Sequence, residues 1–377
     1  MSFYTFEVSD KMDHPEWVAF FDEMPSFDFR QYPAWALAKR ACGYDSRLLL
    51  VRNNGELVGG ALVLVKRYAF GFKVGIVSQG PCIKEEIPEL VDYFAHTLTS
   101  FCKQSRLLYL NMELPYSKSA WLSQFKKNGF VPKPKELPGG FFFNATWMLD
   151  LTPELGIIFS GFSAARRRYV RKSALLPITF REGGLGDVDS CYNLFLHTAN
   201  KRSGFFVEPN KSFYHVLLSE PEPKRQVLLL IGEVEGKMVS ASFCLLSGDV
   251  FMHYVWGWTG DYADQHYSDA VYWYMIQLAK EKGFRFFDFV QVDDAVASAV
   301  LSGSPIDASV RGRSFFGPTF YKMSFGGSLV HSPGILCYFP SKVHFWLANG
   351  LLVALNSIRL MQRPLKFIYR WLVKSLR

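Results

Sequence analysis

Nothing in this chain repeats a metal-binding or redox pattern. Its six cysteines, Cys42, Cys82, Cys102, Cys191, Cys244 and Cys337, stand apart without CxxC or Cys/His spacing, which argues against a structural zinc site or a disulfide framework and for buried free thiols. An unbroken apolar run of ~20 residues is missing too, so a full membrane span is not expected. The first 30 residues carry Glu7, Asp10, Asp13, Glu16, Asp22 and Glu23 and fit neither a signal peptide nor an anchor, so the bulk of the protein is expected in the cytoplasm. Low-complexity tracts are absent, and 49% hydrophobic with 20% charged residues describes a folded chain. Acids are absent from Cys337 to the end, where seven basic residues lie (Lys342, Arg359, Arg363, Lys366, Arg370, Lys374, Arg377). That leaves 35 of the 42 basic residues against 34 acidic ones, so one tail accounts for nearly all of the net charge of +8.

At 377 residues the chain is longer than one hydrophobic core usually serves, and it repeats itself. Arg47-LLLVRNNGELVGGALVLV reads as two apolar strands around a tight turn, and Val227-LLLIGEVEGKMVSASFCLLSG reads the same way. Each is followed by another strand, a helix and a further strand. In the first half these are Lys73-VGIVSQGP, a helix within 85–103, and Leu107-LYLNMEL. In the second they are Val250-FMHYVWGW, a helix within 268–282, and Phe284-RFFDFV. An antiparallel hairpin feeding strand, helix and strand predicts α/β architecture with mixed sheets: two tandem GNAT-like domains, 1–152 and 153–331, each sheet splayed near its centre. A segment 332–377 belongs to neither repeat.

Several strings resemble the Fem-type peptidyl transferases, a family of tandem GNAT-like domains. They are Phe29-RQYPAWALAKRACGY, Ser78-QGP, Arg166-RRYVRKSALLPITFREG, Phe286-FDFVQVD and Phe320-YKMSFGG, in that order over roughly residues 25–330. The resemblance implies an aminoacyl-tRNA co-substrate, with the amino acid passed to an amine of a lipid- or nucleotide-linked muropeptide and no cofactor. The phosphate-cradling turn of acetyl-CoA enzymes is not evident in Ser78-QGPCIKEE or Trp258-TGDYADQH. An acyl-CoA or other acyl-thioester donor in envelope polysaccharide synthesis is the competing expectation.

Transfer from an activated ester to an amine needs positioning, a proton acceptor and oxyanion stabilisation more than a covalent enzyme intermediate. By the resemblance Lys322, with Tyr321 beside it, lies near the transferred ester, where its ammonium would stabilise the oxyanion; the competing expectation is a lysine anchoring a surface turn. Asp288, in an otherwise aromatic strand, is expensive to bury unpaired. It is expected either to take a proton from the amine or to pair with an arginine such as Arg313. The resemblance places Lys39 and Arg171 on the diphosphate and sugar of the precursor, within a basic cluster that includes Arg168; a solvated basic helix face is the other expectation. Tyr254, Trp256 and Trp258 alternate along one strand, which predicts a shared face for stacking on substrate, or core packing. Through 342–377 basic and polar residues oppose Phe345, Trp346, Phe367 and Trp371, which predicts an amphipathic helical tail lying on an anionic membrane surface, packed on the protein, or bound to tRNA.

Overall fold

The computed structural model describes residues 3–352 apart from 25–26, 69–70, 117, 135–136, 138–144, 202–205, 221–225 and 304–305. The strands are β1 (Tyr4–Ser9), β2 (Tyr44–Asn53), β3 (Glu56–Arg67), β4 (Lys73–Ser78), β5 (Cys82–Ile83), β6 (Tyr109–Glu113), β7 (Val131–Pro132), β8 (Ala145–Asp150), β9 (Ile178–Glu182), β10 (Val227–Val234), β11 (Lys237–Ser247), β12 (Val250–Trp258), β13 (Phe286–Asp288), β14 (Ser328–His331) and β15 (Ile335–Tyr338). They form an eight-stranded sheet ordered β1-β2-β3-β4-β6-β15-β7, with β5 on β3, and a seven-stranded sheet ordered β14-β8-β13-β12-β11-β10-β9.

The internal repeat is a repeat of structure. β2–β3 and β10–β11 are hairpins whose tips, Asn54-Gly55 and Glu235-Gly236, all take positive φ (51°, 90°, 53° and 73°), the type I′ signature that matches the strands' twist. Each hairpin continues into an antiparallel third strand, β4 or β12, then a helix, then a parallel fourth strand, β6 or β13. The helices are Pro88–Gln104, burying Leu90, Phe94, Leu98 and Phe101, and Tyr267–Glu281, burying Val271, Met275, Ile276 and Ala279. That spacing of three and four keeps the apolar side chains on one face.

Both faces of each sheet are covered, which is why the hairpin strands read as continuous apolar runs. Leu49 and Val51 pack under the helix Pro88–Gln104, while Leu48 and Leu50 face the other way. Leu228 and Leu230 likewise pack under Tyr267–Glu281, while Leu229 and Ile231 turn away. The outward sets meet in one core with Trp17, Trp35, Phe195, Phe213 and Phe243, so the halves share apolar interior. At roughly 1.5–3 kcal/mol for each large apolar side chain buried, that shared interior fixes how the halves sit together.

Two strands lie in a different sheet from the one their position suggests. β8, inside the 1–152 range, pairs with β13 and β14 of the second sheet, because Trp147 and Leu149 fit the second core and Trp147 Nε1 donates to the Gly326 carbonyl at 2.6 Å. β15, inside the 332–377 range, pairs with β6 and β7 of the first, where Leu336 and Tyr338 fill that core. Each half is thus completed by a strand from beyond the predicted boundary. Beyond β15 the helix Lys342–Leu347 is described; the expected amphipathic pattern from residue 353 onward lies outside the described residues. Among the described residues no helix is long and apolar enough to cross a membrane.

Candidate active site

β12 and β13 run parallel for three pairs, Val250–Phe286, Phe251–Phe287 and Met252–Asp288, and then part. Asp288 ends the pairing at the fork. The chain leaves it through Val290 and Gln291, both with positive φ (51° and 21°), a conformation that costs a non-glycine residue about 1–2 kcal/mol. That turn aims the Val290 N–H at Asp288 Oδ1 (2.7 Å), to which the Thr146 hydroxyl also donates. The Asp288 side chain is only 2% exposed. Burial pushes its carboxyl above the usual range, opposed by those two hydrogen bonds and by the positive charge of Lys322.

Lys322 lies on the helix Phe316–Met323, and its Nζ donates to the carbonyls of Val290 and Gln291, both at 2.8 Å. The strained turn therefore serves both groups: its amide binds the carboxylate and its carbonyls bind the ammonium. Burial pushes the Lys322 amine down to about 7, with Asp288 acting the other way. An ammonium has three protons, so one remains beyond the two carbonyls. His253, nearby on β12, is pushed down to about 3, chiefly by burial, and is neutral at pH 7.

The fork opens into a cavity of about 480 Å³ between the halves, lined by Arg30, Trp35, Lys39, Glu113, Glu208, Tyr254 and Asp288 among others. Lys39, on the helix Pro33–Ala41, pairs with Glu208 at 2.5 Å and sits over the Trp35 ring at 4.8 Å. Tyr254 Oη donates to the same carboxylate at 2.8 Å. Arg30 is gripped by Asp28 at 2.7 and 2.9 Å and reaches Glu113 at 3.5 Å. A smaller pocket, lined by His253, Trp256, Tyr272, Phe289 and Lys322, shares Tyr254, Val290 and Gln291 with the cavity. Lys322 thus lines a pocket that adjoins the cavity Asp288 lines.

Of the residues predicted from sequence, Lys322, Asp288, Lys39, Tyr254 and Trp256 line these adjoining spaces. Tyr254 does not share a face with Trp256 and Trp258. A β-bulge opposite Phe243 and Cys244 gives Tyr254 no register partner, so Tyr254 packs towards Trp35 and Phe213 while Trp256 turns to Tyr272. Trp258 stacks on Trp256 (5.5 Å, 12°) outside both linings. Tyr321 lies under the Arg166 guanidinium at 4.0 Å and packs in the second core. Arg168 and Arg171 are exposed on the helix Ala164–Ser173 and line neither space. Arg313, the expected structural partner of Asp288, pairs with Asp293 instead (2.7 Å).

Sequence reasoning missed Arg30, Glu113 and Glu208. Glu113 carried the signal that picked out Asp288, an acid inside an apolar strand. Glu208, in the loop before the helix Ser212–Ser219, carried none.

Residues 12–135 match the model of the FemAB family, and residues 162–295 match that of an acetyltransferase (GNAT) domain. The chain is FemAB-like. Over 152 residues it is 31% identical to the aminoacyltransferase FemA of Staphylococcus aureus (strain bovine RF122 / ET3-1), a stretch that is 39% of this chain and 32% of that protein. FemA of strain MW2 is 30% identical over 150 residues, 39% of this chain and 32% of that protein. This FemAB-like chain thus matches about a third of the length of those curated relatives. Its fold is that of FemX, with a TM-score of 0.73 at 14% identity over 90% of this chain and 98% of that one. L-PGS from Bacillus licheniformis is more distant, with a TM-score of 0.54 at 14% identity over 93% of this chain and 98% of that one.

Proposed function

We propose that this FemAB-like chain is an aminoacyltransferase that passes an amino acid from aminoacyl-tRNA to an amine of a lipid- or nucleotide-linked peptidoglycan precursor. The observation that carries the reading is the fork at Asp288 and Lys322, where a buried carboxylate and a buried amine are held by the two sides of one strained turn. In the cavity lining Glu113 and Glu208 are matched by Arg30 and Lys39, which leaves Asp288 as the carboxylate for an incoming amine.

In the proposed reaction the neutral acceptor amine attacks the ester carbonyl carbon as its proton passes to Asp288. The third Lys322 proton stabilises the oxyanion that forms on the carbonyl oxygen. Collapse breaks the ester bond, the ribose oxygen leaves with the proton that Asp288 took up, which restores the carboxylate, and the new amide remains on the acceptor. The pH dependence follows from the two shifts. Activity falls on the alkaline side as Lys322 loses its charge above about 7, and on the acid side as Asp288, held above the ordinary carboxylate range, takes up a proton.

The basic tail fits peripheral attachment at the inner face of the membrane, where a lipid-linked acceptor is presented. The acetyltransferase-domain match supports a second reading, an N-acyltransferase using an acyl thioester. The test is transfer of labelled amino acids from a charged tRNA pool to purified lipid-linked muropeptide, with and without RNase, beside an acyl-CoA control. RNase-sensitive labelling is expected. Coenzyme A release without tRNA-dependent labelling would replace the first reading by the second.

A further inference from the structure

The helix Ala164–Ser173 presents a surface that the cavity does not use. Arg168 and Arg171, three apart, share one face of the helix, and Leu175 follows in the turn just past its end at Ser173. Both arginines are exposed, and neither has a carboxylate within ion-pairing distance among the described residues. Leu175 is 86% exposed, the highest value among the large apolar side chains described. Arg167 and Lys172, the neighbouring cations, are instead spent on backbone carbonyls: Arg167 on those of Ser160 and Phe162, Lys172 on that of Asp264 at 2.9 Å.

Beside these side chains opens a groove of about 440 Å³ lined by Phe159, Leu176, Phe180, Trp273 and Tyr274, with Arg171 on its rim and no acidic residue in its lining. Its walls are ordered by ring contacts: Phe180 stacks on Tyr274 at 4.1 Å and 18°, and Phe159 packs tilted against Trp273 at 5.2 Å. The Arg171 guanidinium lies 5.4 Å from the Phe159 ring centre. Unpaired guanidinium groups call for anions, and a protruding leucine beside an open aromatic groove calls for an apolar phase. Nucleic acid supplies the first and offers little to Leu175. An anionic bilayer supplies both, with phosphates for the arginines and acyl chains for the leucine and groove.

We propose that Arg168, Arg171, Leu175 and the adjoining groove are a docking surface for an anionic phospholipid bilayer, built from residues of the second domain rather than of the tail. The surface holds the folded body against the membrane at a fixed face, whatever the acceptor of the transfer reaction is.

The test is co-sedimentation of the full-length chain with vesicles of phosphatidylglycerol and phosphatidylcholine, beside phosphatidylcholine alone, over a salt series. Arg168→Glu/Arg171→Glu is expected to weaken binding to the anionic vesicles by roughly tenfold or more at low salt, with the difference shrinking as salt rises. Leu175→Asp is expected to weaken it by severalfold at every salt concentration. These side chains are exposed, so the variants keep the wild-type unfolding midpoint. Vesicle binding unchanged in both variants, or lost only when the tail residues Arg370 and Lys374 are replaced, would overturn the proposal. So would variants that retain vesicle binding and lose binding to tRNA.

Discussion

The two halves build the same crease and finish it differently. In the first, β4 and β6 stay paired for five residues, from Val74–Tyr109 to Ser78–Glu113; in the second, β12 and β13 stay paired for three. Each parallel pair closes on a buried carboxylate, Glu113 or Asp288, and both line the cavity. Their surroundings differ. Glu113 lies against Arg30, a permanent cation that is also clamped by Asp28, whereas Asp288 has a hydroxyl, an amide and, across the strained turn, a lysine with a pKa of about 7. A guanidinium in a protein does not give up its proton, so the cation of the first crease is fixed, while burial raises the Glu113 carboxyl above its ordinary value as it raises that of Asp288. The second crease has in Lys322 a cation that burial pushes down to about 7. One scaffold occurs twice, and the proposed chemistry falls on the copy with the shorter parallel pair.

The largest expected effect comes from removing the exchangeable cation. Lys322→Ala should lower turnover by about 10³-fold with little change in acceptor affinity, read by steady-state kinetics on labelled acceptor. Asp288→Asn should lower turnover by about 10²-fold and abolish the acid limb of the pH profile. Glu113→Gln should keep that limb; if it costs more turnover than Asp288→Asn, the proton acceptor lies in the first crease. Lys39→Met acts across the halves. It leaves the Glu208 carboxylate buried without its cation and should cost about 2 kcal/mol of stability, measured by denaturant unfolding. Tyr254→Phe removes only one of the donors to Glu208 and should cost about 1 kcal/mol in the same measurement.

The scaffold was legible where the signal is local. Hairpins with Asn-Gly and Glu-Gly tips, and helices with apolar residues three and four apart, follow from neighbours in the chain, so the tandem GNAT-like repeat could be read directly. The exchange of β8 and β15 between sheets could not, because six residues such as Ala145–Asp150 carry too little pattern to choose a sheet and only distant partners on both sides decide. For the same reason the bulge at Tyr254 escaped detection: strict alternation assumes an uninterrupted ladder, and one unpaired residue reverses it. Asp288 was visible as a charge inside an aromatic strand, and Lys322 through the resemblance of Phe320-YKMSFGG to the Fem-type element. Arg30 and Glu208 were not, since Arg30 meets Glu113 83 residues on and Glu208 meets Lys39 only where the two halves close on each other.

The most direct test of the central claim is the pH dependence of single-turnover transfer by the wild-type protein and by Lys322→Arg, from pH 6 to 9. If an exchangeable Lys322 charge sustains the transition state, the wild-type rate falls above about pH 7, while the arginine variant, slower at its best, shows no fall across that range. Identical alkaline limbs in the two proteins would contradict the account and remove Lys322 from the reaction.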